Sequence, residues 1–435
     1  MTAIATNAAG HGGGAVLSHA RDYRRTLASL LPAIQAGYIL IGFPLIYRGN
    51  PAETQVAVEP DYFLNKLIFP VLFMVALALF LAVRPQFHFW RKTPVMLVVT
   101  YVALAGLSTV WSLAPDRSFD KFLLLVLALG IPCMAILICG SLERCLKPIF
   151  WVVAAAMAIN LVVVLLTDPG PIGHQGIYSH KNLLGSYCSL GVAFGLAGMS
   201  SRWSVYKAAG LFALVAALLI LVQSQSKTSL MLAVMVPALA WGMVFARRHL
   251  AVSLPVQAVL VALGLTFAFN VLSTSYGFGI GTISNAIAGE PTFTGRTSLW
   301  EFSLDNVAQR PLLGHGYQAF WNIGKAAPSH RAEPGFIHVT PHAHNGYIDT
   351  MLELGVIGLV VLVLILLAMF AVVDRIVRER PRIGHLALTL LCLPIFHNML
   401  ESTWFSPLEA TMACLFLILF TSAVQGLPRE PRHDW

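Results

Sequence analysis

The chain has 435 residues, of which 57% are hydrophobic and only 11% are charged, and its net charge is +8 at neutral pH. Soluble globular domains carry about 25% charged residues, so this composition excludes an ordinary soluble protein and favours one that spans a membrane. The excess of basic residues follows from the membrane topology derived below, and it therefore does not call for a nucleic acid as partner.

The predicted elements are helices that cross a bilayer. The first 26 residues are polar and glycine-rich, without the apolar core of a signal peptide, and we expect 1–26 to be a disordered cytoplasmic tail. A transmembrane domain at 27–425 and a second cytoplasmic tail at 426–435 should follow. About twelve apolar runs are long enough to span the hydrocarbon core, which predicts an all-α polytopic membrane protein. They lie near 28–47, 63–83, 95–114, 121–140, 149–167, 182–199, 206–223, 227–246, 250–272, 350–373, 384–400 and 408–425.

Basic residues orient these spans, because loops rich in Lys and Arg stay in the cytoplasm. If the N-terminus is inside, most of the 28 basic residues fall in the connecting segments that this count places inside. Both termini are then cytoplasmic. Residues 273–349, between spans nine and ten, form one large loop on the outer face, and we expect it to contain short helices.

The large loop contains three organised pieces. Residues 298–301 (SLWE) fit a capping box and predict an amphipathic helix that begins after Ser298. Arg296 directly precedes this predicted start, where backbone N–H groups and the helix dipole favour an anion. A glycine-rich turn follows at 311–317 (PLLGHGY), and a histidine-rich stretch at 341–347 (PHAHNGY) ends the loop.

Two shorter outer segments also carry polar residues. His180, Lys181 and Asn182 lie between spans five and six, and Lys227 follows span seven. Both lysines are at the outer ends of spans, on the side where the orientation rule disfavours basic residues. Each lysine is therefore either an anion ligand or a residue whose charged end reaches the lipid headgroups.

Three motifs resemble the O-antigen ligase and polymerase superfamily of bacterial envelope proteins, over roughly residues 95–400. They are 179–185 (SHKNLLG), Gly295-Arg296 with Trp300, and 344–347 (HNGY) with the trailing Leu354-Gly355. The resemblance implies a glycosyltransferase of the bacterial inner membrane with its site on the periplasmic face. Such an enzyme passes O-antigen polysaccharide from undecaprenyl diphosphate to a lipid A-core sugar, with inversion at the anomeric carbon and without a metal or other cofactor.

Within that resemblance, two residues are the expected catalytic pair. His344 is the general base for the acceptor hydroxyl, since histidine titrates near neutral pH. Arg296 neutralises the departing diphosphate through charge-assisted hydrogen bonds. Glu401 and Trp404, at the outer end of span eleven, fit a merely interfacial role. The expected substrate-binding residues are Lys181, Lys227, His180, Asn182, Asn345, Tyr347, His338 and Glu353.

The histidines of the large loop also suggest a metal site. His338 and His342 are four apart and would align on a helix, but Pro341 disfavours a helix through that stretch. We therefore expect no metal ion here, and His344 to act as a base instead.

Two other functions fit part of the pattern. A polymerase of O-antigen or exopolysaccharide repeat units would share the donor, the fold and the base, and would add the glycan to a growing chain instead. A secondary transporter would have inverted repeats and ionisable residues near mid-membrane. This sequence shows no such repeat, and its charges lie at the ends of the spans.

Overall fold

The computed structural model describes residues 10–47, 63–85, 87, 92–171, 173–276, 296–321, 323–332 and 335–424. Most of these residues are helical, and no β-strand occurs in these ranges beyond two isolated bridges. The helices are α1 Gly10–Gly37, α2 Asn65–Val83, α3 Thr93–Leu107, α4 Pro115–Cys139, α5 Leu142–Leu166, α6 Lys181–Met199, α7 Ser204–Ser224, α8 Lys227–His249, α9 Leu254–Tyr276, α10 Arg296–Gln309, α11 Phe336–Val339, α12 Gly346–Glu379, α13 Pro381–His397 and α14 Ala410–Phe420.

Each predicted span coincides with a helix. Within the described ranges, ten helices are long and apolar enough to cross a membrane, whereas α13 and α14 are shorter. The closely spaced spans seven and eight are separate helices, because Gln225 adopts a left-handed backbone (φ 54°) and ends α7. The prediction of an all-α polytopic membrane protein is confirmed.

The N-terminal part differs from its prediction. α1 begins at Gly10, inside the stretch expected to be a disordered tail, and it continues through a π-helical turn at Tyr38–Gly42. Arg24 donates from Nη1 to the carbonyl oxygen of Ala82 at 3.0 Å, so the helix is anchored on the end of α2 before the apolar span begins. The predicted tails at 1–9 and 426–435 lie outside the described residues.

Small residues let α6 and α7 approach closely. A Cβ added at Gly195 would lie 3.0 Å from the carbonyl oxygen of Gly210, and one at Gly210 would lie 2.8 Å from that of Gly195. Only glycine permits such backbone proximity, as in other membrane helix pairs. The packing fixes α6, whose first residues carry predicted site side chains.

α12 is broken near its start by Gly355, which has φ 67° and ψ −169°. The glycine-rich turn of the large loop enters this break. His315 N donates to the carbonyl of Leu352 at 2.7 Å, and Val356 N donates to that of Pro311 at 2.8 Å. These bonds satisfy backbone groups that the break would otherwise leave unpaired, and they tie the loop to α12.

Gly355→Ala should therefore destabilise the protein. A Cβ at this position would lie 2.1 Å from the carbonyl oxygen of Leu312, at a positive φ. Backbone strain alone is worth about 1–3 kcal/mol. The measurement is thermal unfolding in detergent, with Gly264→Ala in α9 as matched control, because nothing lies within 4 Å of a Cβ there. Equal melting temperatures for the two variants would contradict this explanation of the break.

The predicted capping box is wrong. α10 begins at Arg296, so Ser298 lies inside the first turn instead of preceding it. Leu299, in this first turn, is fully buried. α10 packs on α12. Gly295, the residue before Arg296 in the predicted motif, lies outside the described residues.

Candidate functional site

A largely buried carboxylate, Glu401, joins residues from distant parts of the chain. Its Oε1 accepts hydrogen bonds from Asn182 Nδ2 at 2.7 Å and from Arg296 Nη2 at 3.3 Å. Its Oε2 lies 3.1 Å from Nδ1 of His344. The partners come from the starts of α6 and α10 and from the loop before α12. The structure thus brings three predicted site residues together around one carboxylate.

His344 has an unusual backbone and a fixed ring. Its φ of 48° lies in the left-handed region, which is uncommon outside glycine and costs roughly 1–3 kcal/mol. Its backbone N–H donates to Nδ1 of His342 at 3.1 Å, and the ring of Phe336 stacks on its ring at 6.0 Å. Strain of this kind persists where surrounding contacts hold it, as it often does at functional sites.

Asp349, in the first turn of α12, supplies such a contact. Its Oδ1 accepts from Trp321 Nε1 at 2.7 Å, and its Oδ2 accepts from Ala343 N at 2.9 Å and from the hydroxyl of Ser402. Ala343 directly precedes the central histidine, and Ser402 directly follows Glu401. The Asp349 carboxylate therefore fixes the positions of His344 and Glu401 relative to each other, through the residues adjacent to them.

The electrostatic surroundings keep Glu401 ionised. Burial raises the pKa of this carboxyl, but its hydrogen bond with His344 and its interactions with the rings of His344, His342 and His397 outweigh burial and hold the pKa well below its usual range. Burial, reinforced by the neighbouring positive charges, lowers the pKa of His342 to about 3. Burial also lowers the pKa of His180.

The ionised carboxylate fixes the tautomer of His344. A carboxylate has no proton to give, so Nδ1 of the ring must carry the proton that joins it to Glu401. The opposite ring nitrogen, Nε2, is then an acceptor and can take a proton from a hydroxyl group. The pair therefore has the arrangement of a general base with an orienting carboxylate.

Positive charge collects around this pair at three helix N-termini. Lys181 and Lys227 are the first residues of α6 and α8, and their charges are close enough to repel each other. Arg296 begins α10. Ser226 donates to Oδ1 of Asn182 at 3.3 Å and so links the starts of α6 and α8. Helix N-termini with basic side chains favour an anion.

The other predicted residues have different partners. His180 caps α6, with its Nδ1 accepting from Asn182 N at 3.1 Å, while remaining within reach of the charges of the site. The remaining four make contacts that fix local structure. Asn345 caps α12, the Tyr347 hydroxyl donates to the Ile395 carbonyl, His338 lies against His330, and Glu353 interacts with Gln318, Arg117 and Lys121.

Sequence reasoning missed Glu401 as a member of the candidate site, because its position at the end of span eleven also fits an interfacial role. Its only sequence signal is a charged residue directly after an apolar span, within the polar stretch 401–403 (EST). Asn398 organises this stretch, because its Oδ1 accepts from Thr403 N at 2.7 Å and its carbonyl accepts from Gly346 N at 2.8 Å. Asn182 and Glu401 are 219 positions apart in the sequence, so no local sequence pattern could predict that they are in contact.

Three side chains of the site could also hold a metal ion. Ligand atoms of His342, His344 and Glu401 lie within 4.8 Å of one another. However, the Arg296 guanidinium occupies one oxygen of the carboxylate and places a positive charge beside the trio. That charge opposes a cation, so the trio fits an ion-pair network better. His338 lies on α11, which ends at Val339, so His338 and His342 do not share a helix.

Comparison with known proteins agrees with two of the three motifs, those at 295–300 and 344–355. Residues 212–363 match a family model described as O-Antigen ligase, a range that includes Lys227, Arg296 and His344. The chain is also 28% identical over 356 residues to the exopolysaccharide production protein ExoQ of Rhizobium meliloti (strain 1021), which covers 77% of this chain and 78% of that protein. These matches, together with the helical membrane fold, support the similarity of the chain to the O-antigen ligase superfamily.

Proposed function

We propose that the protein is a glycosyltransferase that moves a glycan from undecaprenyl diphosphate to a hydroxyl group of an acceptor, at the periplasmic face of the bacterial inner membrane. The observation that carries the proposal is the pair of His344 and ionised Glu401, held 3.1 Å apart next to Arg296. A base and an anion site side by side suit transfer from a sugar diphosphate to an alcohol.

The reaction is a single displacement at the anomeric carbon. Nε2 of His344 takes the proton of the acceptor hydroxyl while that oxygen forms the new bond to carbon. The bond between the anomeric carbon and the diphosphate oxygen breaks, and its electron pair leaves with the diphosphate. Attack from the face opposite the leaving group inverts the configuration. Glu401 stabilises the imidazolium that forms, because it keeps its negative charge beside Nδ1.

The basic residues stabilise the leaving group. Arg296 has five N–H donors in a planar fork, so it can bind a phosphate while one nitrogen contacts Glu401. Lys181 and Lys227 add point charges at the starts of two helices. Because the diphosphate leaves as an anion, fixed positive charges supply the stabilisation, and we expect no metal ion or other cofactor.

A test of metal independence follows directly. Incubation with excess EDTA should leave the transfer rate of the purified protein unchanged, because arginine and lysine side chains balance the diphosphate charge. The control is the same protein with added Mg²⁺ or Mn²⁺, which should not raise the rate. Complete inhibition by EDTA that one metal reverses would assign His342, His344 and Glu401 to a metal site instead.

Glu401→Gln should reduce turnover. The amide keeps the shape of the side chain but cannot stabilise a positive charge on His344. A hydrogen bond to a charged group is worth about 1.5–3 kcal/mol, so the maximal rate should fall roughly 10- to 150-fold. Steady-state kinetics should show little change in the apparent affinity for the donor. A wild-type rate would remove Glu401 from the mechanism.

Two kinds of molecule are candidates for the acceptor. The match to the O-Antigen ligase family supports a lipid A-core sugar. The likeness to an exopolysaccharide production protein favours a second candidate, the growing chain of an exopolysaccharide made from lipid-linked repeat units. Both reactions use the same donor and base, and they differ only in the molecule that provides the hydroxyl.

Reconstitution distinguishes the two acceptors. The purified protein in liposomes receives an undecaprenyl-diphosphate-linked glycan, either with lipid A-core or alone at high concentration. A ligase yields glycan-bearing lipid A-core, whereas a polymerase yields a ladder of longer glycans on the lipid carrier. Absence of product under both conditions, with protein that is folded and correctly inserted, would overturn the proposed function.

A further inference from the structure

A groove lies at the end of the helix bundle opposite the histidine–carboxylate pair. It has a volume of about 610 Å³ and is lined by parts of α6, α7, α8 and α13. Leu196, one of its lining residues, is 15 positions along α6 from Lys181, which corresponds to about 20 Å at the usual helical rise. The lining extends along α8 from Ala233, six positions from Lys227, to Arg248, 21 positions or about 30 Å from it, so the end of the groove at Arg248 is the part distant from the site described above.

The walls of the groove are apolar, and the groove opens at the side of the helix bundle. Leu196, Leu214 and Leu218 line its inner wall, and Trp241, which is 66% exposed, lies at its open side. In a membrane-spanning helix, such an exposed indole faces lipid instead of water. The groove thus offers an apolar channel that a hydrocarbon chain can enter from the bilayer.

One end of the groove is basic. Arg248, in the last turn of α8, and Arg382, in the first turn of α13, both line it, together with His385. The imidazole of His385 already bonds the carbonyl of Pro237, with 3.2 Å between Nε2 and the oxygen. α13 begins at Pro381, so its N-terminal dipole adds positive potential beside Arg382.

The nearby carboxylates Asp374 and Glu143 have basic partners of their own. Asp374 pairs with Arg247 at 2.6 Å and with Arg378 at 3.3 Å. Glu143 pairs with Lys147 at 2.9 Å and with Arg380 at 3.5 Å, again away from the groove. Within the described part of the chain no carboxylate is paired with Arg248. A basic mouth over an apolar channel calls for a ligand with an anionic head and a hydrocarbon tail.

We propose that the groove binds one acidic glycerophospholipid, with an acyl chain between α6, α7 and α8 and its phosphate against Arg248 and Arg382. The volume is in the range of small-molecule sites, about 300–1,000 Å³. With the orientation proposed above, this end faces the cytoplasmic leaflet, where basic residues attract anionic lipids. The lipid-linked glycan is the less suitable occupant, since its diphosphate would react at the other end of the bundle.

Native mass spectrometry of the purified full-length protein tests the proposal. The protein in detergent is titrated with phosphatidylglycerol or with phosphatidylcholine of identical chains. Wild type should retain one phosphatidylglycerol at concentrations where phosphatidylcholine is lost. The double variant Arg248→Ala, Arg382→Ala should retain it at least roughly tenfold more weakly, as expected for the loss of charge-assisted contacts. Lys207→Ala is the matched control, because this exposed lysine of α7 is at the same end but outside the groove.

A second variant separates groove binding from surface binding. Ala238→Trp places a large ring in the groove without changing its charge, and it should also release the lipid. Thermal unfolding of each variant checks that it is folded. Equal retention by the double arginine variant and Lys207→Ala would overturn the proposal. So would undiminished retention by Ala238→Trp, or tighter retention of undecaprenyl phosphate than of phosphatidylglycerol.

Discussion

His344→Ala should abolish glycan transfer and leave the protein folded in the membrane. The variant loses the ring nitrogen that accepts the hydroxyl proton, and positioned proton transfer is typically worth on the order of 10²–10⁴ in rate. The imidazole side chain is only 16% exposed, but it stacks mainly on Phe336 and on its neighbour His342, so its loss removes few packing contacts of the bundle. The measurement is the transfer rate of purified protein in liposomes.

The matched control is His330→Ala, which removes an exposed histidine of the same loop and should keep the wild-type rate. Size-exclusion profiles and melting temperatures of both variants show whether they are folded. Activity of His344→Ala within a few-fold of wild type would make this histidine structural. The base would then have to be sought at His338, Asp349 or Glu353.

Arg296→Ala should impair use of the donor, with transfer reduced roughly 10- to 150-fold, because a charge-assisted hydrogen bond contributes about 1.5–3 kcal/mol. Arg296→Lys should restore only part of the rate, since a point charge cannot contact a phosphate and Glu401 together. Lys181→Ala should have an effect in the same direction. Kinetics in which the donor and acceptor concentrations are varied separately should show weaker use of the donor and little change in the apparent affinity for the acceptor.

Arg331→Ala provides the control for the loss of one positive charge, because Arg331 is exposed on the same loop. Its kinetics should match wild type. A specific loss of acceptor affinity in Arg296→Ala and Lys181→Ala, with donor use unchanged, would mean that these residues bind phosphates of the acceptor core instead of the leaving group.

The spans could be predicted because they depend on local composition. A run long enough to cross a bilayer must satisfy its own backbone as a helix, and this holds wherever the run packs. The separation of spans seven and eight was the least secure boundary, because only three polar residues lie between two apolar runs, and it depends on the left-handed backbone of Gln225. Boundaries were less accurate, as the early starts of α10 and α12 show.

The site was only partly predictable. His344 and Arg296 stood out because polar and basic residues are rare in this chain, and their motifs resembled a known superfamily. Glu401 and the bridging role of Asp349 depend on tertiary contacts between segments far apart in sequence. The break at Gly355 was also hidden, because one glycine in an apolar run does not indicate that the distant 311–316 turn inserts beside it.

The most direct test of the central claim is to follow bond formation and lipid release together in proteoliposomes. Purified protein receives a labelled undecaprenyl-diphosphate glycan and the acceptor, and both the new glycosidic linkage and free undecaprenyl diphosphate are quantified. We predict one undecaprenyl diphosphate released per linkage formed, with inverted anomeric configuration, and neither product with His344→Ala. Movement of intact donor across the bilayer without any new linkage would contradict the assignment and indicate a transporter.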